Sequence, residues 1–156
     1  MLFARKIAPI AAPEPVELPR DEMAFRKQYQ RLLLEREITT VFRPGDRLYP
    51  AWRGYAPGER ITLRVITRHG SDALGVAPVF NGVRVPVRIA DVVVIPVDTL
   101  APADFAGSSP DVSDTPSLLQ HLAAIYERPI SAFGGLVTRI RFDYLNDLPP
   151  PGRARD

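Results

Sequence analysis

Three stretches of this chain alternate along a period of two, and that pattern constrains its fold more than any other feature. In 136–144 (LVTRIRFDY), Leu136, Thr138, Ile140, Phe142 and Tyr144 face one way and Val137, Arg139, Arg141 and Asp143 the other. In 60–68 (RITLRVITR), Ile61, Leu63 and Val65 oppose Arg64, Ile66 and Arg68. In 83–89 (VRVPVRI), Val83, Val85, Val87 and Ile89 oppose Arg84, Pro86 and Arg88. Successive side chains of a strand point to opposite faces, so each stretch reads as a strand with one face on a core. Pro86 has no amide to donate, which predicts an edge position for 83–89.

Further strands fill the middle of the chain. Residues 38–43 (ITTVFR) are β-branched and aromatic, and PGD at 44–46 marks a turn. RLYPAW follows, then a break at 54–59 (GYAPGE). Residues 92–97 (VVVIPV) form a continuous apolar run, as in a strand buried on both faces. Segment 70–82 fits a lid, an interface or a loop, with Phe80 expected to pack on the sheet.

Two helices complete the pattern. The first is expected over 21–36, capped by Asp21, with Phe25, Tyr29, Leu32 and Leu33 on one face. The second is expected over 115–127, with Thr115 as cap and Pro116 at the first helical position. Leu118, Leu122, Ile125 and Tyr126 form its apolar stripe. Residues 101–114 read as a polar loop with one helical turn near Asp104-Phe105. Residues 1–20 divide into a short strand (1–7) and a proline-rich arm, and 147–156 read as a disordered tail. With 156 residues the chain fits one domain, here 21–146. The fold class is α+β: a small barrel or curved sheet of five to seven strands with two main flanking helices.

Composition excludes several chemistries. The absence of cysteine removes disulfides, thiolate metal sites and cysteine nucleophiles. The two histidines, His69 and His121, are too few for a multi-histidine metal centre; His69 reads as a solvated turn residue and His121 as a packing or rim residue. No glycine-rich phosphate loop and no GxSxG elbow occurs, and Ser108-Ser109 lies in a loop with no histidine nearby in sequence. No cofactor is therefore expected. The N-terminal apolar stretches are too short for a signal peptide or a membrane span, which predicts a cytoplasmic protein.

The densest chemistry lies in 36–60 (REITTVFRPGDRLYPAWRGYAPGER). Arg36, Arg43, Arg47, Arg53 and Arg60 alternate there with Tyr49, Trp52 and Tyr55. A guanidinium holds phosphate or a base edge, and an aromatic ring stacks on a base; together they suit single-stranded nucleic acid. The alternative is a barrel wall of half-buried aromatics with a solvated arginine rim. Of the 20 basic residues only Lys6 and Lys27 are lysine, which fits planar, bidentate contacts or merely a GC-rich genome.

Over residues 22–145 the order of these segments resembles the ASCH domains of the PUA-like superfamily. The resemblance runs through the helix end Glu35-Arg36-Glu37, then Thr39-Thr40 and Arg43, then Gly45-Asp46 and Arg47-Leu48-Tyr49. It continues through strand 60–68, Leu100, the helix end Ala124-Ile125-Tyr126 and strand Val137–Phe142. It implies a small PUA-like β-barrel with a cleft beside the first helix. Members of the family bind RNA, some hydrolyse N4-acylated cytidine nucleosides, and some cut RNA.

The amidohydrolase-type members use a lysine, a threonine and a carboxylate. The threonine falls here at Thr39 or Thr40, the carboxylate near Asp111, and the strand arginine at Arg43. The lysine position falls at Glu37 or Ile38, and glutamate reverses the charge. A lysine would activate the threonine or stabilise developing negative charge, and neither residue does so. The leading expectation is thus a non-catalytic domain that binds RNA or a nucleoside-like ligand. Arg36, Arg43, Arg47 and Arg53 would meet phosphate, and Trp52 or Tyr55 would stack. The alternatives are a hydrolase built on Thr39, Thr40 and Asp111, and a protein-interaction module using strand 83–89 and the arm 8–19.

Overall fold

The computed structural model describes residues 21–71 and 73–145. The N-terminal strand and arm expected over 1–20, and the tail from 147, lie outside the described residues. Five strands form one mixed sheet: β1 (Glu22–Arg26), β2 (Thr40–Pro44), β3 (Arg60–Arg68), β4 (Val79–Pro96) and β5 (Leu136–Tyr144). Their order is β1-β3-β4-β5-β2. β1 runs parallel to β3, and the other neighbours are antiparallel. The sheet curls into a half-barrel that stays open between its edge strands β1 and β2. Helices α1 (Gln30–Leu34) and α2 (Thr115–Tyr126) flank it.

β1 replaces the start of the helix expected over 21–36. Met23 and Phe25 are buried while Glu22, Ala24 and Arg26 are not, and that period-two pattern lets the segment extend β3 in register from Glu22 opposite Thr62 to Arg26 opposite Ile66. Asp21 does not cap a helix; its carbonyl accepts the Thr62 amide. The chain coils only afterwards, through a 3-10 turn at Lys27–Tyr29 into α1.

β4 unites the two strands expected at 83–89 and 92–97. A bulge between Ile89 and Asp91 absorbs the interruption. Val87 and Arg88 are interior, paired with both β3 and β5, so the edge assignment fails there. The run 92–96 meets both clusters, Val92 the larger one and Ile95 the smaller, but Val93 between them is 37% exposed. Residues 79–82 belong to β4 rather than to a loop, and Phe80 lies under Arg64, whose guanidinium is 5.1 Å from the ring centroid. RLYPAW is not a strand. It forms a turn with a cis Tyr49–Pro50 bond, closed by the bridge between Leu48 and Tyr55.

Two apolar clusters hold the layers together. The larger fills the concave side with Met23, Phe25, Leu33, Leu63, Val65, Ile89, Ile140 and Phe142. The smaller lies under α2, where Leu118 and Leu122 meet Phe42, Val112 and Val137. Burying each such side chain contributes roughly 1.5–3 kcal/mol. The cap of α2 is Asp114 rather than Thr115. Its carboxylate accepts the Ser117 amide at 2.9 Å, and the Ser117 hydroxyl accepts the Asp114 amide at 3.1 Å.

Candidate functional site

The open seam of the half-barrel is a cleft of about 560 Å³, within the range of small-molecule sites. β1 and β2 form its two sides, the turn 49–55 forms a rim, and the loop 108–112 and helix α2 close the far wall. The cleft thus exists because β1 and β2, adjacent in sequence, lie at opposite edges of the sheet.

Arginines line this seam. Arg43 donates to the Ala24 carbonyl at 2.7 Å and lies 5.4 Å from the Phe25 ring centroid. Arg47 is only 7% exposed. Its amide donates to the Thr138 hydroxyl at 2.8 Å, and its guanidinium stands 6.0 Å from the Tyr126 ring centroid. Burial pushes that guanidinium below the ordinary arginine range, and the neighbouring Arg43 and Arg53 cations push the same way. Arg26 and Arg53 also reach the cleft, and Arg53 stacks 4.2 Å from the centroid of Trp52, which is 65% exposed. Among the described residues no carboxylate forms an ion pair with Arg26, Arg43 or Arg47. The acid of β1 itself, Glu22, is committed to Arg64 at 2.9 Å and Arg84 at 3.2 Å.

The other expected residues separate into three places. Tyr55 lines the cleft but is 9% exposed, with its hydroxyl on the Glu22 carbonyl at 2.9 Å, so the open stacking ring is Trp52. Arg36 is outside the cleft, in a left-handed backbone conformation (φ 60°), 5.8 Å from the Tyr144 ring centroid. Thr39 uses its amide on Gly107, and the Thr40 hydroxyl donates to the Ala106 carbonyl at 2.6 Å. Asp111 is not hydrogen-bonded to either threonine. It accepts from Tyr29 at 2.7 Å and from Ser109 at 2.6 Å.

Sequence reasoning missed the group around Asp111. Tyr29 Oη also lies 3.3 Å from His121 Nδ1; Tyr29 and His121 line the cleft, and Asp111 of the loop joins them through Tyr29. Burial, then the bond to Asp111, push the Tyr29 hydroxyl far above its ordinary range. Burial would raise Asp111, but hydrogen bonds from Ser109 and Tyr29 outweigh it and hold the carboxyl below its usual value. Burial lowers His121 below 6.5; Asp111 opposes that shift, while Arg43 and Arg26 reinforce it. Ser108 Oγ, also at the cleft, is buried without a hydrogen-bond partner. No group of histidine, aspartate and glutamate suited to a metal occurs among the described residues. No helix of the described residues is long and apolar enough to cross a membrane.

No protein-family model matches the chain. No curated protein matches it either. Among solved structures it is similar to the crystal structure of a protein from Enterococcus faecalis V583 assigned to the family model DUF984. That similarity has 10% sequence identity and a TM-score of 0.46, and it covers 76% of this chain and 70% of the other.

Proposed function

We propose that the cleft binds the phosphate and base of a nucleotide, as a free small molecule or within single-stranded RNA. One observation carries this reading: Arg47 is a buried cation at the cleft with no carboxylate ion pair among the described residues. Burying a charge costs several kcal/mol unless a counter-charge and hydrogen bonds offset it. A bound phosphate supplies both, in the bidentate geometry a guanidinium prefers. Arg26 and Arg43 add charge along the seam, and Trp52 offers an exposed ring for a base. The ASCH/PUA-like reading of residues 22–145 agrees with this ligand class and forms part of the proposal.

Fluorescence anisotropy with single-stranded RNA, duplex RNA, single-stranded DNA and a fluorescent mononucleotide tests it. Single strands should bind at micromolar or tighter affinity, weakening steeply with salt. Arg47→Met should weaken binding at least tenfold and reduce the salt slope by about 0.7, the loss of one single-strand phosphate contact. Its folding stability should be equal or higher, because a buried unpaired charge has been replaced by an apolar side chain of similar volume. Unchanged affinity in Arg47→Met, or no binding of any probe at low salt, would overturn the assignment.

A further inference from the structure

The arginines account for an anion, but His121 sits in the same cleft and needs its own explanation. Hydrogen-bond accounting settles what it offers. Asp111 is held ionised, so its carboxylate is acceptor-only. Tyr29 Oη carries one proton, and the 2.7 Å contact commits that proton to Asp111 Oδ2. Toward His121, 3.3 Å away, the phenolic oxygen can then act solely as an acceptor. The proton between the two residues therefore belongs to His121 Nδ1. A neutral imidazole protonated at Nδ1 has a bare lone pair on Nε2. Nε2 makes no hydrogen bond among the described residues and is not sealed from solvent, and the ring lines the cleft.

We propose that Tyr29 and Asp111 lock His121 in its Nδ1–H tautomer, so that Nε2 accepts a hydrogen bond from a neutral N–H or O–H donor of the bound ligand. The ligand half of this inference rests on the nucleotide reading above; the tautomer does not. The division of labour is physical. Arg26, Arg43 and Arg47 serve the phosphate, and a neutral acceptor beside them reads a base or a ribose hydroxyl. The charged groups around His121 are consistent with this. Arg43 and Arg26 face it from β2 and β1 and disfavour its cationic form, whereas Asp111 favours it. Burial of the ring tips the balance to the neutral form. Tyr126 follows on its own helix, and Glu127, just past the helix end, is occupied by the Ser71 hydroxyl at 2.8 Å.

Two measurements test the inference. The first needs no ligand: nitrogen-15 NMR of histidine-labelled protein, in a His69→Gln background that leaves one signal set. At pH 7.5 Nδ1 should be pyrrole-like and Nε2 pyridine-like. Tyr29→Phe should release the ring toward the Nε2–H form that prevails in water. A mainly Nε2–H ring in the unsubstituted site overturns the lock.

The second titrates binding of rhodamine-labelled eight-residue homopolymers of U, C and A, in ribose and deoxyribose forms. Neither the phosphodiesters nor uracil ionises between pH 7.5 and 5, so in the U series the protein supplies the pH response, and the pH dependence is read there. Affinity should fall across that range as Nε2 is protonated, and His121→Leu should weaken binding and abolish the dependence. Loss confined to the ribose series identifies a hydroxyl donor; loss across both series identifies a base N–H. Affinity that rises on acidification would make His121 a phosphate contact and overturn the inference. If neither the homopolymers nor a fluorescent mononucleotide binds at pH 7.5, the nucleotide reading and the ligand half fall together, while the NMR result still decides the lock.

Discussion

Arg43 Nη2 donates to the carbonyl of Ala24 at 2.7 Å, which links β2 to β1 across the one place where the curled sheet does not pair its own strands. The same guanidinium covers the Phe25 ring at 5.4 Å. A side chain therefore stands where a closed barrel would have a backbone ladder. Arg43→Ala should destabilise the fold by about 1–3 kcal/mol, the loss of a charged hydrogen bond and a cation–π contact. Arg43→Lys should recover part of this, since an ammonium keeps the charge but not the planar fork. Urea midpoints of the two variants give the measurement. An unchanged midpoint in Arg43→Ala would mean that packing alone holds the seam.

Thr138 fixes the next residue of the site. Its hydroxyl donates to the Gly45 carbonyl at 2.6 Å and accepts the Arg47 amide at 2.8 Å, fully buried between β5 and the turn after β2. Thr138→Val keeps the shape and removes both bonds. Two buried backbone groups are then left unmatched, so we expect a loss of about 2–4 kcal/mol. Thr138→Ser should retain most of the stability. Thermal unfolding of the pair separates the hydroxyl from the methyl, and similar losses in both would show that the methyl matters instead.

Much of this architecture is legible in the residues, and the exceptions have physical causes. β3 and β5 show clean alternation because each keeps one face on the main core. Residues 21–26 deceive because Phe25 belongs to two patterns: a helical one with Tyr29, Leu32 and Leu33, and an alternating one with Met23. Pairing with β3, distant in sequence, selects the second. β4 looks broken at Gly82, Pro86 and Ala90, yet a bulge lets the strand continue. Arg43, Arg47, Trp52 and Arg53 were recognisable as a group because they are close in sequence. Tyr29, Asp111 and His121 come from three separate elements, and no local pattern joins them. Asp111 entered through the family resemblance, with threonine partners that the fold does not give it.

Gly107 anchors the loop that carries Asp111. Its carbonyl accepts the amides of both Thr39 and Thr40, at 2.9 and 3.1 Å. Its φ is +84°, and a Cβ there would overlap Thr39 Oγ1 and lie 3.0 Å from Thr40 Oγ1. Gly107→Ala thus combines an unfavourable backbone conformation with a clash. We expect a destabilisation of about 1–3 kcal/mol. Ligand affinity should fall as well, because the loop positions Asp111 and, through Tyr29, His121. A Gly107→Ala protein of unchanged melting temperature would show that the loop can move away from β2 at no cost.

Acid should weaken the fold in two stages, both set by the cleft wall. The pKa of His121 is lower in the folded protein than its ordinary 6.5. Between those two values the unfolded chain binds a proton that the native one does not, so stability is full above pH 6.5 and declines as pH falls toward the folded value. Asp111 is likewise held below its ordinary 3.8, so its contribution is present above that pH and disappears below it. Melting temperatures from pH 8 to 3 should therefore fall first just below pH 6.5 and again below pH 4. His121→Gln should flatten the first decline and spare the second. Asp111→Asn should remove its share of the second decline and, without its carboxylate beside the imidazole, lower the pKa of His121 further. A first decline that persists unchanged in His121→Gln would place the responsible proton elsewhere and sink the assignment to His121.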